Sequence, residues 1–344
     1  MLCPKNPDHL RYSQQYVYAS SESPVLKKGT GCLGDTMRDP VGVTFDQVYN
    51  NSYYYVIWND QFYDYPKING CSKFCPGPWG HSKGMVVWND NGEGFVMQVT
   101  TPSWPASGNA SSPRKNDGNS LGCVKTTNNV KFSQHFFALK LNKDDLIQVL
   151  KALQNASIVT DITNKQLVSN GGPSDVQELV NELGEKSDSA TYMKFKLSTG
   201  VVLISKPSGL HVPPWQFASA VLNGTPLRTA TWWSKNDIPT TKKSTKIKCW
   251  DDNLGAPGPV EIATSGEWDA TTIGLKSGNN HAKIGVSTDS DQPYAIFSDL
   301  NQEGDISGKD CSKGQNARGG TFYIIENKNL FDSVTNLIAG DTAP

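Results

Sequence analysis

The sequence predicts a mixed α/β protein of two domains, on three observations. The chain has 344 residues, more than one ordinary hydrophobic core holds. Short apolar runs of strand character alternate with amphipathic segments of helical period. A stretch rich in Thr, Ser, Asn and Gly, residues 157–173, divides the chain and predicts a boundary near 157, with one domain over 1–157 and the other over 158–344.

The strands come first. Residues 16–19 and 53–58 are rich in aromatic and apolar residues, which favours extended structure. Met85-Val86-Val87-Trp88 and Phe95-Val96-Met97-Gln98-Val99 flank Asn89-Asp90-Asn91-Gly92, and this predicts a hairpin. Residues 130–141 predict a further strand, 193–205 alternate like strands, and 230–233 and 247–250 read as extended. A second hairpin is expected around Asp291.

Four helices follow from their own signals. Asn142 is placed to cap a helix with Asp144 and Asp145 in its first turn and Leu146, Val149, Leu150 and Leu153 at helical spacing. Ser174 and Gln177 form a capping-box pattern, with Gly184 as the stop. Pro213-Pro214 opens a helix that Gly224 ends. Residues 329–339 predict the last.

Composition bounds the function. The formal net charge is −1, so any contact with nucleic acid must rest on a local basic site rather than a global positive field. No apolar run is long enough to span a bilayer, and the first residues lack the apolar middle of a signal peptide. Seven cysteines with one close pair, Cys71 and Cys75, predict disulfides and one leftover thiol rather than zinc, because the second close pair of a zinc site is missing. Sequons at Asn50, Asn109, Asn155 and Asn223 are compatible with secretion.

One local unit occurs twice. His81-Ser82-Lys83 opens the first hairpin, and His281-Ala282-Lys283 opens the second. Positions i and i+2 of a strand share a face, so each His is expected beside its Lys. A turn centred on Asn91 places His81 opposite Thr101; one centred on Asp291 places His281 opposite Asn301. Asn89 and Asp289 each stand eight residues after their His. Two imidazoles and two ammonium groups suit phosphodiester cleavage. One His attacks phosphorus and holds it covalently, the other serves as acid and then base, and the lysines neutralise the phosphoryl oxygens. No cofactor and no metal is expected. A requirement for one protonated His favours acid pH.

The blocks around these motifs carry a resemblance. Gly80-His81-Ser82-Lys83-Gly84 with Thr101-Pro102-Ser103-Trp104-Pro105, and His281-Ala282-Lys283 with Asp299-Leu300-Asn301 and Arg318-Gly319-Gly320-Thr321, resemble the two motif regions of deoxyribonuclease II. Trp58-Asn59-Asp60-Gln61, residues 120–124 and 218–224, and Trp232-Trp233-Ser234-Lys235 are similar in the same order, so the likeness covers nearly the whole chain. It implies the phospholipase D-like superfamily: two similar αβα sandwich lobes related by a pseudo-twofold axis, with the site at their junction. It also implies a metal-independent acid endonuclease that acts on double-stranded DNA and leaves 3′-phosphate and 5′-hydroxyl ends. The enzyme would lie outside the cytoplasm, whether secreted, periplasmic or lysosomal, as a monomer or a homodimer.

By that resemblance His81 and His281 divide the roles of nucleophile and acid/base, with a lean to His81 as nucleophile, and Lys83 and Lys283 bind phosphate. Asn301 fits the polar position that follows the second motif, and either Thr101 or Ser103 fits the first. The superfamily often has an acidic residue five after the Lys; Trp88 and Thr288 stand there, with Asn89 and Asp289 one further. Members also begin with a Cys-containing segment before the part that resembles Lys5-Asn6-Pro7, so a first strand and a partner for Cys123 are expected to be missing or replaced.

The remaining candidates have plainer readings beside them. Lys242 and Lys243, in a basic run with Lys246 and Lys248, are a solvated loop or the phosphate-contacting rim of a DNA groove, and Lys235 is a similar candidate. Arg318, also a DNA-binding candidate, opens Arg318-Gly319-Gly320, which reads as a tight turn near the site or merely as a turn. Asp299 either orients an imidazole or caps a strand. His9, His135 and His211 read as structural or solvent-exposed. Rival functions are another phosphodiesterase of the superfamily, such as one acting on lipid headgroups, and a DNA-binding relative with a decayed site. No exposed apolar segment flanks either motif, which disfavours a lipid substrate, and both His and both Lys are intact, which disfavours decay.

Overall fold

The computed structural model describes residues 14–33, 38–50, 53–63, 66–105 and 132–344. His9, Cys3, Cys123, the sequon at Asn109 and the block 120–124 lie outside the described residues. Among the described residues the architecture is mixed α/β, with several sheets and five α-helices.

The first large sheet has five strands. They are β3 (Tyr54–Asn59), β4 (Lys83–Trp88), β5 (Gly94–Val99), β6 (Phe136–Leu141) and β7 (Val168–Ser169), in the order β6-β5-β4-β3-β7 and antiparallel throughout. β4 lies at its centre with all six residues buried, which is why Met85 to Trp88 form a continuous apolar run rather than an alternation. The stretch marked by composition as a boundary contributes β7 to this sheet.

The second large sheet has seven strands: β8 (Met193–Lys196), β9 (Val202–Lys206), β10 (Leu227–Ala230), β11 (Val260–Ile262), β14 (Ile284–Ser287), β15 (Tyr294–Ser298) and β16 (Gly320–Glu326). Their order is β11-β10-β14-β15-β16-β9-β8, and only β10 and β11 run parallel. Strands β1 (Val17–Tyr18) and β2 (Lys27–Lys28) form a small ribbon, as do β12 (Ser265–Trp268) and β13 (Thr271–Gly274).

Alternation along the second sheet sends side chains to two cores. Phe322 and Ile324 face Trp215 and Phe217 of α4 (Pro214–Val221), while Tyr323 faces the core of the first sheet. On that side Phe137 of β6 stacks on Phe297 of β15 at 5.1 Å and meets Tyr323 at 5.0 Å, so the two sheets share one continuous core. Helix α2 (Lys143–Asn155) closes it, burying Leu146, Val149, Leu150 and Leu153. Asn142 caps α2 by accepting the Asp145 amide, a bond worth about 1 kcal/mol. Helix α5 (Lys328–Leu337), capped by Asn327, covers Ile284, Val286 and Ala295. Helix α1 (Pro40–Asn50) places Phe45 on Trp104, ring centroids 5.6 Å apart.

Three expectations need correction. The capping box at Ser174 and Gln177 does not form. Pro173, extended, takes the cap position of α3 (Ser174–Asn181) without a side-chain bond, and Gln177 donates instead to the carbonyl of Gly172 at 2.7 Å. Residues 247–250 are not a strand; Lys248 makes one backbone bond to Ile306, and a disulfide ties Cys249 to Cys311. The strand expected at 230–233 is β10, which ends at Ala230.

Candidate active site

The first hairpin has the expected register. Gly84 pairs with Gln98 and Trp88 with Gly94 around the five-residue loop 89–93, so Lys83 begins β4 and His81 lies two residues before it. Thr101 continues that register but leaves the ladder, which ends at the pair Gly84 and Gln98. The second hairpin departs by one residue. Ile284 pairs with Phe297 and Val286 with Ala295 around the six-residue loop 288–293. An even loop in place of an odd one shifts every facing pair by one. Lys283 therefore faces Ser298, whose amide donates to its carbonyl at 2.9 Å, and Asn301 is not opposite His281.

Each motif is held by the half of the chain that does not contain it. The His81 amide donates to the Gly319 carbonyl at 2.8 Å, and its Nδ1 lies 2.8 Å from the Asp299 carbonyl oxygen. A carbonyl only accepts, so Nδ1 carries the hydrogen and Nε2 keeps its lone pair. The approach is close: a Cβ on Gly80 would meet the Ala156 carbonyl at 2.3 Å, and one on Gly319 would meet it at 2.1 Å. Only glycine admits this crossing of chains. In the second motif the amides of His281 and Ala282 both donate to the Ser133 carbonyl, at 2.8 and 3.0 Å. The His281 ring stacks on Phe132, centroids 4.5 Å apart, and meets Trp232 edge-on at 4.5 Å.

The lysines are buried with unequal support. Lys83 reaches Asp60 Oδ1 at 2.6 Å, and Arg318 Nη2 takes Asp60 Oδ2 at 2.8 Å. Asp60, just after β3, therefore anchors two cations, a role that its resembling block Trp58-Asn59-Asp60-Gln61 did not assign it. Although burial alone would raise its pKa, the Lys83 ammonium and the Arg318 guanidinium hold the Asp60 carboxyl down at about 2. Among the described residues no carboxylate contacts Lys283 directly; its Nζ donates to the His281 carbonyl at 2.5 Å. Burial, then the Lys83 charge, lower it to about 7.

The two motifs share one electrostatic field. Burial pushes His81 well below its usual value, and Lys83 and Lys283 add to the push. His281 falls to about 2, by burial first and then by Lys283 and Lys83. Both rings are thus neutral in a site where Lys83, Lys283 and Arg318 outnumber the single ionised carboxylate of Asp60.

The supporting candidates are distributed as follows. Asp299 is buried; its carboxylate Oδ2 accepts the Thr321 amide at 2.9 Å and hydroxyl at 2.7 Å, and burial raises it to about 6. Asn301 is buried beside the half-buried Glu303, and its Oδ1 has no partner among the described residues. Thr101 is buried, with its Oγ1 unpartnered among the described residues and its carbonyl accepting the Trp104 amide. Ser103 is buried, with φ of 63° and its amide on the Gln61 carbonyl. Arg318 lies inside the protein rather than on a rim, with Nε on the Trp79 carbonyl and Nη2 on the Gly80 carbonyl as well as Asp60. Lys235, Lys242 and Lys243 are exposed, and Lys242 and Lys243 line a surface cleft of about 340 Å³ with Trp250 and Asp252. His211 is exposed and His135 is buried.

Among the described residues, no group of three or more His, Cys, Asp or Glu is placed to hold a metal ion. The family model for deoxyribonuclease II matches residues 2–341. The chain belongs to the deoxyribonuclease II family. No curated protein matches it. Membership makes the chain a hydrolase and implies acid endonuclease activity on DNA. The disulfides Cys71–Cys75 and Cys249–Cys311 agree with a deoxyribonuclease II that works outside the cytoplasm. No helix among the described residues is long and apolar enough to cross a membrane.

Proposed function

We propose that this deoxyribonuclease II-family chain hydrolyses double-stranded DNA without a metal, through a phosphohistidine on His81. The observation that carries the reading is the fixed tautomer of His81: the Asp299 carbonyl holds Nδ1–H and leaves the Nε2 lone pair for phosphorus. His81 Nε2 forms the new bond as the bond from phosphorus to O5′ breaks, and His281 gives its proton to the departing O5′. His281 then takes a proton from water, the water oxygen attacks phosphorus, and His81 is released with a 3′-phosphate product.

Lys83 and Lys283 balance the charge that develops on the phosphoryl oxygens. A bound phosphodiester adds negative charge beside the lysines, and this raises the pKa of His281 toward the acid range. The face of Phe132 further favours the imidazolium. Under this reading the two large sheets are the sheets of two phospholipase D-like lobes, and the boundary expected near 157 precedes β7, the last strand that the chain gives to the first sheet. Secretion, the periplasm or a lysosome each supply an oxidising or acidic setting. Plasmid nicking in EDTA at acid and neutral pH tests the mechanism with His81→Ala and His281→Ala. Cleavage is expected in EDTA at acid pH and lost in both variants; cleavage that needs a metal, or that survives both substitutions, overturns it.

A further inference from the structure

A buried histidine outside both motifs connects them. His135, just ahead of β6, is 8% exposed. Its Nδ1 lies 3.2 Å from the Lys283 amide. A backbone N–H only donates, so Nδ1 accepts and Nε2 carries the hydrogen. Nε2 lies 3.3 Å from Gln98 Oε1. Gln98 Nε2 donates to Thr321 Oγ1 at 3.1 Å, and that hydroxyl donates to Asp299 Oδ2 at 2.7 Å. The carbonyl of the same Asp299 holds His81. Every hydrogen in this chain points toward Asp299, so each group's donor and acceptor roles are consistent with its neighbour's. Gln98, Thr321 and Asp299 are each 1 or 2% exposed.

We propose that His135 is a positioning residue for the second His-x-Lys motif, and that His135, Gln98, Thr321 and Asp299 lock the two motifs in register across the sheets. The proposal rests on the phosphodiesterase reading above for its catalytic consequence only. A protonated His135 would present Nδ1–H to the Lys283 N–H, two donors face to face, and the link would break. Burial, then the Lys283 charge, hold His135 down to about 3, so it stays an acceptor at the acid pH where the family acts. Its backbone is fixed too, since the His135 amide donates to Thr100 Oγ1 at 3.0 Å, and Phe297 lies edge-on to the ring at 5.7 Å.

The test compares His135→Asn with His135→Leu. Asn offers Oδ1 where Nδ1 stands; Leu fills the space without an acceptor. With plasmid DNA at acid pH, His135→Leu is expected to lose about 10- to 100-fold in kcat with little change in KM, the scale set by a misplacement of about 1 Å. His135→Asn is expected to recover most of that loss. Hydrogen exchange of the Lys283 amide gives a readout independent of catalysis: slow in the wild type and His135→Asn, fast in His135→Leu. Wild-type kcat in the Leu variant, equal losses in both variants that follow their melting temperatures, or unchanged exchange at Lys283 in the Leu variant would each overturn the proposal. Failure of the phosphodiesterase reading would show instead as an inactive wild type with the exchange pattern intact.

Discussion

The His81 imidazole donates to the main-chain carbonyl of Asp299, 2.8 Å away and 218 residues along the chain. The acceptor belongs to the backbone, so the Asp299 side chain can change without releasing the ring. Asp299→Asn is therefore expected to keep kcat within about tenfold of wild type at acid pH, where a carboxyl raised to about 6 is largely protonated and Asn resembles it. His81→Gln should lose about a thousandfold or more, because no nucleophile remains. Rates of plasmid cleavage measure both. A thousandfold loss in Asp299→Asn would mean that the carboxylate itself acts on the ring.

Asp60 is the counter-charge of the first motif. Its two oxygens are divided between Lys83 and Arg318, and all three groups are buried. Replacing it with Asn strands two cations in the interior, and such a break costs about 3–5 kcal/mol. Asp60→Asn is expected to lower the melting temperature by several degrees or more and to lower kcat, as Lys83 loses its fixed position. Thermal melts beside initial rates decide the matter; an unchanged melting temperature would show that the buried cations find other partners.

The site was legible in the sequence where the information was local. The repeated His-x-Lys at a hairpin start, and the register of the first hairpin, follow from apolar runs and one Asn-rich turn. The second register failed because the loop 288–293 has six residues, and parity, which the sequence does not display, decides which side chains face. Asp60 was quoted within a resembling block but assigned no role. Its link to Lys83 exists only because β3 pairs with β4, setting Asn59 across from Lys83. His135 read as bland because its partner lies 148 residues away. Long-range pairing also hid the aromatic seat of His281, which joins Phe132 to Trp232.

Stability and activity should respond oppositely to acid. A histidine whose folded pKa is depressed contributes stability that is present above its unfolded value, about 6.5, and lost as pH falls. His135 lies at about 3, His281 at about 2 and His81 well below its usual value, so each costs about 1.4 kcal/mol per pH unit below about 6.5. Asp299, raised to about 6, works the other way, its contribution present below about 4 and lost as pH rises through 6. Three imidazoles outweigh one carboxyl. The free protein is expected to melt lower at pH of about 4.5 than at about 6.5. Inorganic phosphate, which adds negative charge to the site, should raise the melting temperature more at the lower pH. Equal gains at both would rule out coupling between anion binding and protonation.

Charge at the surface and charge in the interior should separate in salt titrations. Lys242 and Lys243 are exposed on one loop, whereas Arg318 is buried against Asp60. A lysine that meets a DNA phosphate releases about one counterion on binding, and its loss lowers the slope of log affinity against log salt by about 0.9. The double variant Lys242→Ala with Lys243→Ala is expected to lower that slope by about two while leaving kcat on a small phosphodiester unchanged. Arg318→Ala should leave the slope alone, lower kcat on both substrates and destabilise the fold. Fluorescence anisotropy with labelled duplex across a salt series separates the cases. A double variant with the wild-type slope would return those lysines to an ordinary solvated loop, and a reduced slope in Arg318→Ala would show that its guanidinium reaches DNA phosphate despite its burial.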